Sequence, residues 1–175
     1  HPTKELLEGE WVSSSYGYPP IILESPEVLK RQKVKLPAEL QESIKEIQAF
    51  EYRSAIGLFT IGATSITMTQ MDEEPKFELT IEQLLKNFET MGAKNIITKH
   101  EDFVTISGVK GAKVYGSGKF PIPDSDELLR GEYAMVLFGG KGFQQNIMVT
   151  WLDGDTYAED IVDKMLSTLE VKTEI

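Results

Sequence analysis

Apolar positions change their period several times along the chain, and each change marks an element. Leu40, Ile44 and Ile47 fall at i, i+4 and i+7, so a helix with a narrow apolar stripe is predicted over residues 37–50, with Pro37 in its first turn. Two short strands precede it, the β-branched run 21–24 and a second marked by Val34 and Leu36. Residues 50–70 alternate as a strand does, but Phe59 and Ile61 share one parity and Ile66 and Met68 the other. A bulge or bend at Gly62 would reconcile the two halves. Asp72, Glu73, Glu74 and Pro75 then make a polar turn.

Thr80 with Gln83 three residues on has the spacing of a capping box, and Ile81, Leu84, Leu85 and Phe88 supply the inward face of the helix it would open. Gly92 stands where a left-handed terminator belongs. Five β-like runs follow, at 95–98, 103–107, 112–115, 133–138 and 145–151, and they read as an antiparallel meander. Residues 133–138 are apolar on both parities, which requires cover on both faces. The glycine-rich segment 139–142 is read as a four-residue hairpin connection. Asp155 or Thr156 can cap a last helix, with Ala158, Ile161, Val162, Met165 and Leu166 inward, before a short closing strand through Leu169 and Val171.

Residues 1–20 are a polar lead-in with three consecutive serines, ending at Pro19-Pro20, read as a strap or linker, while residues 21–175 make a single domain. Trp11, Tyr16 and Tyr18 argue that the strap packs onto that domain. The order of elements is that of an α+β protein, an antiparallel β-sheet with helices on its faces. In the run Ile106-Ser107-Gly108-Val109-Lys110-Gly111-Ala112-Lys113-Val114, and in the ending from Ala158-Glu159-Asp160-Ile161 through Ser167-Thr168-Leu169-Glu170-Val171, the chain resembles the PsbP-like superfamily. The resemblance spans about residues 20–172 and rests on strand, turn and helix patterns without a signature side chain. It implies an α/β/α sandwich and an accessory role, binding or assembling rather than catalysing.

Charge narrows the partners. Eighteen basic against 28 acidic side chains leave a net charge of −10, which repels nucleic acid and anionic membrane. With 41% hydrophobic and 26% charged residues the chain has the composition of a folded domain rather than a disordered one. The absence of cysteine removes disulfides, thiol catalysis and thiolate metal sites together. No apolar run is long enough for a transmembrane helix. His1 in place of a methionine, followed by polar sequence, suits an exported or cell-envelope protein.

Candidate chemistry is sparse, and no cofactor motif is found. Neither glycine-rich turn has the spacing of a phosphate loop, since a strand rather than a helix follows each. Asp153, Asp155 and Glu159 resemble a fragment of a calcium loop, but Tyr157 occupies the third alternate position. Glu159 and Asp163 are like charges on one face of the last helix. His100 is expected in a turn between strands, and no serine lies in a nucleophile elbow. The expectation is therefore a module that binds another protein. Its contacts are expected on the sheet's concave face and the 121–130 loop, with Phe120, Leu128 and Leu129 as apolar anchors beside Asp124, Asp126 and Glu127. Two alternatives remain: a small apolar ligand held between sheet and helix, and a cofactor-free enzyme using the 153–159 turn with His100.

Overall fold

The computed structural model describes residues 1–54, 58–122 and 124–173. In chain order the elements are α1 (Pro2–Glu8), β1 (Val12–Tyr16), β2 (Ile21–Ser25), β3 (Lys30–Gln32), β4 (Ile44–Arg53), β5 (Thr60–Met68), α2 (Phe77–Thr90), β6 (Lys94–Val104), β7 (Lys110–Pro121), β8 (Leu128–Gly140), β9 (Phe143–Leu152), α3 (Thr156–Thr168) and β10 (Glu170–Val171). The protein is α+β. Its strands form a seven-stranded sheet in the order β3-β4-β5-β9-β8-β7-β6 and a three-stranded sheet in the order β1-β2-β10, with every pairing antiparallel.

Parity on β8 divides the core. Ala134, Val136 and Phe138 join one apolar cluster with Ile147 and Val149 of β9 and with Ala158, Ile161, Val162 and Met165 of α3. The small sheet adds Tyr16, Ile21, Leu23 and Val171 to the same cluster, and Leu6 and Leu7 of α1 pack against it. Tyr133, Met135 and Leu137 join a second cluster with Val114 of β7 and with Ile81 and Phe88 of α2. The continuous apolar run at 133–138 is thus buried from both sides, as its composition requires. Each wholly buried side chain such as Ile161 or Met165 contributes about 2–3 kcal/mol.

The expected helix over 37–50 is instead a single 3₁₀ turn at Ala38–Leu40 followed by β4. Three apolar residues at helical spacing are outweighed by backbone pairing to both β3 and β5, and by Phe50 and Tyr52, which alternate onto the first cluster. The preceding strand lies at Lys30–Gln32 and not at Val34 and Leu36. Gly62 carries no bulge: it pairs in register with Glu51 and Met148, and the irregularity falls in β4 between Ile44 and Glu46. The change of phase reflects apolar residues on both faces of β5, with Ile61 and Ala63 buried and Ile66 and Met68 half-buried on the other side.

No capping box forms at Thr80. The helix starts three residues earlier, at Phe77, and Thr80 accepts a hydrogen bond from buried Gln144 (2.6 Å) while Gln83 donates to Asn87 (2.9 Å). Gly92 does terminate it, at φ +97°, with Ala93 N–H on the Phe88 carbonyl (2.9 Å) and Gly92 N–H on that of Glu89 (3.0 Å). Asp155 caps α3 by accepting from Ala158 N–H (3.1 Å).

Residues 1–20 hold more structure than their composition announces. Thr3 of α1 donates to the Asp155 carboxylate (2.7 Å), Trp11 lies under Lys164 of α3 at 4.0 Å, and β1 pairs with β2. Tyr16 is buried, whereas Tyr18 is exposed. Gly139 and Gly140 belong to β8, so the hairpin turn is only Lys141 and Gly142. No helix among the described residues is long and apolar enough to cross a membrane.

Candidate functional site

Alternation along β6, β7, β8 and β9 places Lys99, Tyr115, Ala134 and Val149 in one transverse row, and Ile97, Ser117, Glu132 and Trp151 in the next. These rows lie on the face that carries α3. The helix joins the apolar cluster on this face with β8 and β9, and a groove of about 390 Å³ runs between α3 and the β6–β7 side of the sheet. Trp151, Ala134 and Tyr115 line its floor; Glu159 and Asp163 descend from α3, and Lys99 and Lys113 rise from the opposite side.

One hydrogen-bonded chain organises the acidic wall. The Trp151 indole N–H donates to Glu132 (2.9 Å), and Glu132 in turn shares a hydrogen bond with Glu159. Desolvation against the groove wall, then the charge of Glu132, then that of Asp163, push the Glu159 carboxyl above the usual carboxylate range. Two charged carboxylates in contact repel, which favours the neutral form of Glu159. The basic wall is also built: Lys113 lies 3.6 Å from Glu101 and 5.2 Å from the centre of the Tyr115 ring.

The six contact residues expected at and beside the 121–130 loop are not gathered into one surface. Phe120 and Leu129 are cross-strand partners on the α2 face, where Phe120 meets Phe88 edge-on at 5.2 Å and is spent on the core. Leu128 is on the other face, two side chains along β8 from Glu132 with Arg130 between them. Asp124, Asp126 and Glu127 are exposed at a hairpin tip closed by Ile122 N–H to the Glu127 carbonyl (3.1 Å); Pro123 lies outside the described residues.

His100 is not in a turn. It lies within β6, exposed, and faces the α2 side beside Val114, whereas Glu159 stands on the α3 side. The sheet therefore separates His100 from the 153–159 turn. In that turn Asp155 serves α1 and α3, and Asp153 faces Arg130 at 3.3 Å. A second, mostly apolar cleft of about 120 Å³ lies under α1 among Leu6, Leu58, Phe59 and Leu152, well below the few hundred Å³ of a typical ligand pocket. The residues missed from sequence are Glu132, Trp151, Tyr115, Lys99 and Lys113, each of which reads alone as an ordinary strand residue.

No known sequence family matches this chain, and no curated protein does. Among solved structures it is similar to the Pseudomonas aeruginosa protein of unknown function PA94, suggested to be a regulator, with 12% identity, 85% of this chain and 100% of that chain covered, and a TM-score of 0.45.

Proposed function

We propose that this chain is a non-enzymatic binding module that takes up a segment of another protein in the groove beside α3. The observation that carries this reading is the groove's opposed polarity, with Glu132, Glu159 and Asp163 on one wall and Lys99 and Lys113 on the other, above an aromatic floor. An extended peptide offers complementary features: a basic side chain for the acids, a carboxylate or carbonyl for the lysines, and apolar stem for Trp151 and Tyr115. A segment continuing along β8 would meet Arg130, Leu128 and the acids of the hairpin tip, which is how the 121–130 region enters the contact. On this reading the fold is the α/β/α sandwich of the PsbP-like superfamily, with α2 and α3 as its outer layers; the opposite parities of the two apolar clusters on β8 support it.

Selection of a random peptide library on the immobilised protein tests the proposal. Enriched peptides should carry a basic residue and lose affinity by about tenfold or more in the Glu132→Gln/Glu159→Gln variant and in Tyr115→Ala. Peptides indifferent to both changes would rule the groove out as the binding surface. A second reading has one observation in its favour: a carboxyl pair sharing a hydrogen bond, one member raised in pKa, is the arrangement of acid catalysts that divide a proton between two groups. Bound peptides that emerge cleaved, with cleavage lost in Glu159→Gln, would replace the binding module with a hydrolase.

A further inference from the structure

The seven-stranded sheet ends on one side in β3, three residues long, and on the other in β6, eleven residues long. Among the described residues no strand pairs with the outer edge of β6. A long free edge is a template for another strand, and folded proteins blunt such edges with proline, bulges or charge. Residues 97–104 contain neither proline nor glycine, and their register with β7 is unbroken; the one irregularity lies before Ile97. Ile97 and Val104 are each 56% exposed. The remaining protection is charge, and the order of the charges is what makes the edge specific.

Two copies of one strand that pair antiparallel about a twofold axis normal to the sheet must set residues of equal parity opposite each other, so the axis passes through a residue. Centred on Lys99, Glu101 or Asp102, that residue meets its own like charge. Centred on Thr98, the one opposed pair is Lys94 with Asp102, and Lys94 lies beyond the irregularity before Ile97, outside the unbroken part of the edge. Centred on His100, Lys99 faces Glu101 of the second copy and Ile97 faces Phe103, each twice by symmetry, while Thr98 faces Asp102. Glu101 and Phe103 are on the same sheet face as Lys99 and Ile97. The Glu101 side chain is 50% exposed even with Lys113 beside it, which leaves room for a second cation.

We propose that this protein pairs with a second copy of itself along β6, in the register centred on His100, joining two seven-stranded sheets into one. Because Ile97 and Lys99 also line the groove, the two grooves then lie on one face, on either side of the axis. This assignment stands independently of what the groove binds.

The chain has no cysteine, so one introduced thiol reports on the register. His100→Cys puts two thiols across the axis with Cβ atoms about 5 Å apart, close enough for a disulfide or a short bis-maleimide bridge. Thr98→Cys puts them four positions out of step, about 13 Å apart. The expected results are a concentration-dependent dimer in sedimentation velocity and rapid covalent dimerisation of His100→Cys but not of Thr98→Cys. Lys99→Glu should weaken association about tenfold, and Lys99→Glu/Glu101→Lys should restore it. A protein that stays monomeric throughout, a dimer that cross-links equally well from both thiols or from neither, or a charge swap that fails to restore pairing overturns the proposal.

Discussion

Glu159 is the residue whose surroundings depart furthest from what its neighbours in sequence announce. Two of the groups that favour its neutral form, the groove wall and Glu132, belong to other elements, and Asp163 one turn along α3 adds to them. A carboxyl whose folded pKa is raised binds its proton more tightly in the folded than in the unfolded state. Its contribution to stability is therefore fully present below the ordinary value of 4.5 and is lost as pH rises through the raised folded value. At neutral pH the charged form is a burden. Glu159→Gln, which keeps a donor toward Glu132, should raise Tm at neutral pH, with a gain that shrinks to nothing near pH 4. Thermal melts of both proteins across that interval check the sign, and a variant less stable at neutral pH would refute the assignment. Glu170 is the counterexample: burial pushes it up, but hydrogen bonds from the Ser107 hydroxyl and the Val171 N–H outweigh burial and hold it below the usual range.

At the scale of elements, α1 and α3 are joined through one carboxylate. Asp155 accepts from Ala158 N–H at the start of α3 and from the Thr3 hydroxyl of α1, so the N-terminal helix is fastened by the same group that caps the last one. Asp155→Ala should cost about 1–2 kcal/mol, for the lost cap and for the Thr3 hydroxyl, which keeps only His1 Nδ1 at 2.8 Å. Thr3→Val should cost about 1 kcal/mol, and the double variant less than the sum, since both changes remove one shared hydrogen bond. Urea denaturation of the four proteins measures that coupling. Strict additivity would mean that α1 is held by Trp11, Leu6 and Leu7 alone. The cap of α3 was legible because Asp155 and the inward stripe after it are neighbours in sequence. The role of α1 was not, because the partner of Thr3 lies 152 residues away.

For the whole molecule, the decisive feature is that two apolar clusters share one sheet. Tyr133 through Phe138 alternate between the α2 and α3 sides, so neither cluster can be lost without uncovering β8. Ile161→Ala on the α3 side and Phe88→Ala on the α2 side should each cost about 3–4 kcal/mol and shift a single cooperative transition. Far-UV and near-UV circular dichroism that separate into two transitions in either variant would show independent layers instead. By itself the sequence determined what short-range physics settles: the glycine that ends α2, the aspartate that caps α3, the doubly covered strand at 133–138, the α+β class and the strong negative charge. Tertiary structure alone decided that residues 44–50 are strand, that His100 and Glu159 lie on opposite faces of the sheet, and that Glu132, Trp151 and Glu159 share one hydrogen-bonded chain. The reason is physical. A cap or a turn is satisfied within a few residues of itself, whereas the side of a sheet to which a residue points, and what it meets there, are set by strand register and helix docking across the whole chain.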